Sequence, residues 1–343
     1  MSTATDGAYT DVTGGDVYRS GTATIRMLGW ISVGMSLAYI INNYLCFWQG
    51  WPGVFALLPS APPLQGLDLT LALIQTGIYA GAIALAVIGV RRSMTRNLRT
   101  DAMAMAGITN FIIRFAFWSV LLIGLIDAVV SFLRVEDFLV PIFGESIATE
   151  LGRSRFRGPY VHAPMLVVAL VIAARTKSLG FHWLALLVVL AELAIVLSRF
   201  VFSYEQAFQG DLVRFWYGAL FLFASAYTLF EDGHVRVDVL YAGLSEKTKG
   251  LLNAIGGTVL GLTLCWTIMI FGMWNQSSII NSALLAYEVS QSGFGMYVKY
   301  WMAGFLAVFA VTMNIQFASF ILESIANYRE EPGAREIVPS SSA

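Results

Sequence analysis

The ionisable side chains that could do chemistry in this 343-residue chain fall in two settings. The densest group is TLFEDGHVRVDVLY, Thr228 to Tyr241, where Glu231, Asp232 and Asp238 flank His234 and Arg236 directly after an uncharged, mostly apolar run. Acids beside a histidine can hold a cation, pass a proton, or cap a helix where it leaves an apolar phase. In the second setting are two acids inside apolar runs, Asp127 and Glu192. A carboxylate at mid-membrane costs about 2.5–3.5 kcal/mol even on insertion scales. Each is therefore either a station for a proton or sodium ion, or a paired tie between helices. Each precedes an arginine by seven residues, Arg134 and Arg199 respectively, which places each pair on one helical face and is compatible with an internal duplication. A relay would need more stations; the other charges at this depth, Arg114 and Arg199, lie near span ends.

The elements that must position these groups follow from composition. The chain is 57% hydrophobic and 13% charged, against about 25% charged in soluble domains. It reads as an all-α integral membrane protein. Eight segments approach the ~20 apolar residues that a spanning helix needs: 27–48, 69–90, 104–133, 160–175, 181–203, 212–231, 251–274 and 298–325. The fourth is short, ending at Arg175 and Lys177, which must snorkel unless the segment is re-entrant. Arg91, Arg92, Arg96 and Arg99, Arg175 and Lys177, and Arg236, Lys247 and Lys249 fall in loops on the same side as both termini, and that side is expected to be cytoplasmic. The opposite loops hold fewer, Arg134, Arg153, Arg155 and Arg157. In the outer stretch after Pro141, Phe143, Ile147 and Leu151 recur every fourth residue, as in a helix lying in the membrane interface or packed on the bundle. GIYAG (Gly77, Gly81) and GTVLG (Gly257, Gly261) are expected to allow close helix contact.

Several function classes are disfavoured. A net charge of -1 gives no basic surface for nucleic acid. Cys46 and Cys265 lie in separate apolar runs, in no metal or redox spacing. His162 and His182 begin spans at opposite faces and His234 lies beyond one, so no axial pair for haem is expected. Gly-rich phosphate loops, zinc helices and nucleophile elbows are missing from the sequence. The chain is therefore not expected to be an enzyme or to carry a cofactor of its own. An autonomous ion-coupled transporter or channel, using Asp127 and Glu192, remains one reading.

The stretch RFVFSYEQAFQGDLVRFWYGALFLFASAYTLFEDGHVRVDVLY resembles the signature region of the small permease, or DctQ-type, subunit of tripartite ATP-independent periplasmic (TRAP) transporters. The elements that carry the resemblance are Arg199 with Phe200, the acidic and aromatic Tyr204 to Gln209, Asp211 with Arg214, and the exit His234, Arg236, Asp238. Asp211 stands where such proteins often have glutamate. The resemblance implies a four-helix module over 179–328, preceded by a transmembrane extension over 27–178 with three or four further helices and a periplasmic amphipathic segment. Residues 1–26 and 329–343 are then cytoplasmic tails, the first expected to be disordered. It further implies a scaffold in the bacterial inner membrane that binds no substrate itself. Its partners would be a large elevator-type permease subunit, which would hold the sodium ions, and a periplasmic binding protein for organic acids. Arg199, Asp211, Arg214, His234, Arg236 and Asp238 would then be structural or subunit-interface residues.

Overall fold

The computed structural model describes residues 21–177, 181–204, 206–231, 241–290 and 295–334, and all regular structure among them is helical. An apolar run in lipid must satisfy every backbone group internally, and a helix does so. The helices are α1 (Thr22–Phe47), α2 (Gly66–Arg92), α3 (Leu98–Val135), α4 (Leu139–Leu151), α5 (Ser154–Arg175), α6 (Phe181–Phe200), α7 (Ala207–Phe230), α8 (Glu246–Met273), α9 (Ile279–Ala286) and α10 (Lys299–Tyr328). Among the described residues, seven of them (α1, α2, α3, α5, α7, α8 and α10) are long and apolar enough to cross a membrane. With 20 residues, α6 has the length that a crossing requires.

Two elements differ from the sequence expectation. The span expected over 160–175 begins earlier, at Ser154, and is 22 residues long. Pro159 and Pro164 lack the N–H that an α-turn needs. The chain passes them by widening to a π-type turn over Gly158–His162, closed by Ala163 N–H to Gly158 O. Helix α4 forms but is bent at Gly144, whose φ of 78° takes it out of the helical region. Its buried side chains are Leu139, Ala148 and Leu151, packed with Val130, Leu133, Phe156 and Val161. Phe143 and Ile147, expected on the same face as Leu151, are exposed; the bend at Gly144 breaks the single stripe.

The chain divides into two compact units. One comprises Met1–Ile108, Thr228–Trp266 and Met313–Ala343. Here α1 begins at Thr22 and carries Arg26 into the interior, fully buried. Arg26 Nε donates to Asp101 Oδ2 at 2.7 Å, and its two terminal nitrogens donate to Ser93 O and Oγ, each at 2.7 Å. Trp30 Nε1 also donates to Asp101, at 2.9 Å. Arg99 forms an ion pair with Glu323 and donates to the carbonyls of Glu331 and Pro332. Ser319 Oγ donates to Ala102 O at 2.7 Å. These bonds join residues far apart in sequence across apolar surfaces that alone would be weakly specific.

The other unit comprises Thr109–Tyr227 and Thr267–Thr312. Its core includes Phe117, Ile123, Phe215 and Phe223, with the Phe305 ring 5.2 Å from Phe215 and 5.0 Å from Phe223. Helix α3 approaches α7 at Gly124, where an added Cβ would stand 2.4 Å from Trp216 Nε1.

The two small-residue motifs have different fates. Gly257 and Gly261 are seated on α10, where a Cβ at Gly261 would stand 2.6 Å from the Phe317 ring, and Gly250, also of α8, meets backbone, with a Cβ there 2.6 Å from Tyr328 N. At Gly77 and Gly81, by contrast, a Cβ would meet nothing within 4 Å among the described residues, so these two glycines make no close helix contact there. We therefore expect Gly250→Ala to destabilise the purified chain by about 1–3 kcal/mol through overpacking. Gly81→Ala should stay within about 0.5 kcal/mol of wild type. Thermal unfolding of both variants in detergent, followed by tryptophan fluorescence, tests the contrast.

Candidate functional site

Asp127 lies on α3, fully buried, and its carboxylate is met from three directions. Oδ1 accepts from Arg157 Nη1 at 2.7 Å and lies 3.2 Å from His162 Nε2. Oδ2 accepts from the backbone N–H of Tyr297 at 2.8 Å. Arg157 and His162 stand at the start of α5, and the π-type turn between them directs both inward, where both are fully buried. Arg157 also donates through Nε to Leu151 O at 2.5 Å and through Nη1 to Ser131 Oγ at 3.1 Å. The Trp301 indole N–H, which can only donate, reaches His162 Nδ1 at 3.2 Å, and the Tyr300 hydroxyl lies 2.6 Å from the same nitrogen. Nδ1 is therefore the acceptor and Nε2–H donates to Asp127, which assigns a neutral imidazole from its hydrogen-bond network.

The residues just before α10 are held by charged and polar side chains. Gly295 O accepts from Arg134 Nη2 at 2.8 Å, Met296 N donates to Asp211 Oδ2 at 3.0 Å, and Tyr297 N donates to Asp127. Three consecutive residues thus have backbone groups fixed by side chains of α3 and α7. The Tyr297 ring has the guanidiniums of Arg157 and Arg134 over it, at 4.3 and 4.5 Å from its centroid, and its hydroxyl donates to Gly152 O at 3.0 Å. Asp211 also accepts from Ser290 Oγ at 3.0 Å. Buried backbone donors and acceptors must be paired, and here the pairing is supplied by the acids and the arginine.

Of the other residues singled out in the sequence, Arg134 and Asp211 share in this network, and the described remainder lie apart from it. Asp127 is bonded by Arg157, from a segment 30 positions away, while Arg134, seven residues on from Asp127, donates to Gly295 O. Arg214 is mostly exposed, with Asp211 3.6 Å away. Arg199 and Glu192 are exposed on α6. His234, Arg236 and Asp238 lie outside the described residues. The sequence reading missed Arg157, His162, Tyr297, Tyr300 and Trp301 as one constellation. A usable signal was RGPYVH, a histidine and an arginine around a proline at the mouth of a span that also needs an inner anion.

Chemically, the Asp127 network leaves neither carboxylate oxygen without a partner, although Arg157 Nη2 is buried with no hydrogen-bond partner among the described residues, and such a tie suits holding a backbone more than binding a mobile ion. Among the described residues no group of three or more His, Cys, Asp or Glu could hold a metal ion. In the first unit a cleft of about 690 Å³ between α1 and α2 is lined mainly by apolar residues such as Leu37, Ile78 and Leu85. Such a lining suits lipid chains more than a polar solute.

Replacing Asp127 by Asn removes the charge opposite a buried guanidinium and should cost about 3–5 kcal/mol. Asp211→Asn keeps an acceptor and should cost about 1–3 kcal/mol. Both variants should speed hydrogen exchange at the Met296 and Tyr297 amides, measured by mass spectrometry beside the thermal midpoint.

Comparison with known proteins bears on what this frame serves. No curated protein and no solved structure matches the chain. The family model described as "Tripartite ATP-independent periplasmic transporters, DctQ component" matches residues 184–327, from α6 through nearly all of α10. With its membrane-length helices, the chain is a multi-pass membrane protein that carries a DctQ, or TRAP-transporter small permease, domain over residues 184–327 behind an N-terminal helical extension.

Proposed function

We propose that this chain is the fixed scaffold subunit of a sodium-driven TRAP transporter that imports organic acids. It holds the stationary part of a large permease subunit in the bacterial inner membrane, with both termini in the cytoplasm, and helps to dock the periplasmic binding protein. The observation that carries the reading is the family match over residues 184–327. The charge asymmetry of the loops supports the orientation. An elevator mechanism requires one part to stay still while another slides, so a partner with interlocked helices suits it. Sodium and substrate then bind in the large subunit. On this reading α4 lies at the periplasmic interface, where its exposed Val140, Ile142, Phe143 and Ile147 meet lipid headgroups or the binding protein.

The acids that an autonomous carrier would use are placed in a way that favours the scaffold. Asp127 is engaged with Arg157, His162 and the Tyr297 amide, and Glu192 is exposed on a different helix, with no bond linking the two. Arg199, Arg214, His234, Arg236 and Asp238 are assigned to the interface with the large subunit or with lipid headgroups.

Affinity-tagged chain expressed with its two companions should recover a larger hydrophobic protein, and the three together should drive sodium-dependent solute uptake in liposomes. The chain reconstituted alone should move nothing; uptake by the lone chain under an ion gradient would overturn the proposal. For the exit segment, Asp238→Asn with Arg236→Ala should lower recovery of the large subunit before it changes sodium dependence. Normal recovery with altered sodium dependence would assign those residues to ion handling instead.

A further inference from the structure

Helix α6 presents an unusual surface for a membrane span. Leu186, Val189, Leu190, Leu193, Val196 and Leu197 are each 44–62% exposed, and their spacing of three and four residues makes them one stripe. Lipid alone would satisfy such a stripe. Glu192 would not be satisfied by lipid: it stands at the edge of the stripe beside Val189 and Val196, is itself exposed, and has no hydrogen-bond or ion-pair partner among the described residues. Eight residues separate it from the end of α6 at Phe200, about 12 Å along the axis. That is too far for a short carboxylate side chain to reach the headgroups by snorkelling. Its neighbours one turn away in either direction on α6 are valines and Ile195, so the helix offers it no compensation.

A carboxylate in this position is expensive against acyl chains and inexpensive against a donor. Resting on the scaffold reading, we infer that the Glu192 edge of α6 is the docking surface for a transmembrane helix of the large permease subunit, which brings a cationic or hydrogen-bond-donating side chain to this depth. Charge complementarity selects that occupant. A second copy of this chain docked about a two-fold axis normal to the membrane would set Glu192 against the same acidic depth of its copy, and like charges there repel. The apolar stripe supplies close packing along the helix and Glu192 fixes register, as a single polar group does in other helix pairs.

Because Glu192 has no hydrogen-bond or ion-pair partner among the described residues, Glu192→Leu should leave the thermal midpoint of the lone subunit unchanged or slightly raised. The same variant should reduce recovery of the large subunit on the tagged chain by at least about tenfold, the consequence of leaving a buried donor unpaired. Glu192→Gln, which can still accept a hydrogen bond, should fall between the two. Benzoylphenylalanine at positions 189 and 196 of the full chain, in membranes containing the large subunit, should crosslink to that subunit. The same probe at the exposed Leu260 and Phe271 of α8 serves as the comparison face. Undiminished recovery with Glu192→Leu would overturn the inference, as would crosslinks at 189 and 196 to a second copy of this chain or to lipid alone. Failure of the wild-type chain to recover any large subunit would instead remove the scaffold reading on which it rests.

Discussion

A buried charge in a membrane bundle has to be met by donors from somewhere, and at Asp127 that requirement joins segments that sequence separates. Its partners come from the entry to α5 and from the backbone just before α10. Asp211 takes the neighbouring amide and Arg134 the preceding carbonyl. The residues 295–297 that lead into α10 thus obtain their backbone bonds from side chains. Removing Asp127 or Arg157 would leave both a polar backbone group, the Tyr297 amide or the Leu151 carbonyl, and an opposite charge without a partner, so these parts of the arrangement depend on one another.

This bonding also decides what the N-terminal extension is. Arg157, His162 and Asp127 precede the matched family segment, whereas Tyr297, Tyr300 and Trp301 lie inside it, and all six belong to the second compact unit. Within the first unit the pattern repeats: Arg99 and Ala102 are upstream, and their partners Glu323 and Ser319 are in α10. Each unit is built from both sides of the family boundary, so the extension is folded into the family module through its charges. A helix pair bound only by apolar contact could slide, because lipid competes equally for its surface. Charged ties with fixed partners resist that, which is the property a stationary subunit needs.

How legible this was follows from the range of each interaction. The spans could be read because helix formation in lipid depends on local apolar length, and seven helices of that kind are present among the described residues. The start of α5 was obscured because Arg155, Arg157 and Pro159 argue locally against a helix that the π-type turn in fact accommodates. Arg26 was read as part of a polar tail, yet Asp101 and Ser93 draw it inside. Asp127 was recognisable as a charge that needed company. Helical periodicity shows which residues share a face with Asp127, but its partner Arg157 is brought to it by a fold in the chain that no spacing encodes. GTVLG and GIYAG are equivalent as motifs, and only the neighbour facing each one separates contact at Gly261 from open space at Gly81.

The two intramembrane acids then differ in a way that bears on what kind of molecule this is. Both interrupt apolar helices, and the bilayer charges the same penalty for either if it is left unmet. Among the described residues, an arginine, a histidine and a backbone amide meet Asp127 and no hydrogen-bond or ion-pair partner meets Glu192. A protein selected to function alone in lipid gains from meeting or removing every such charge. A protein selected to stand beside another can keep one outward, where its penalty in isolation becomes a preference for the right neighbour. The free energy that makes the lone chain uncomfortable at Glu192 is the same quantity that would make its assembled state specific.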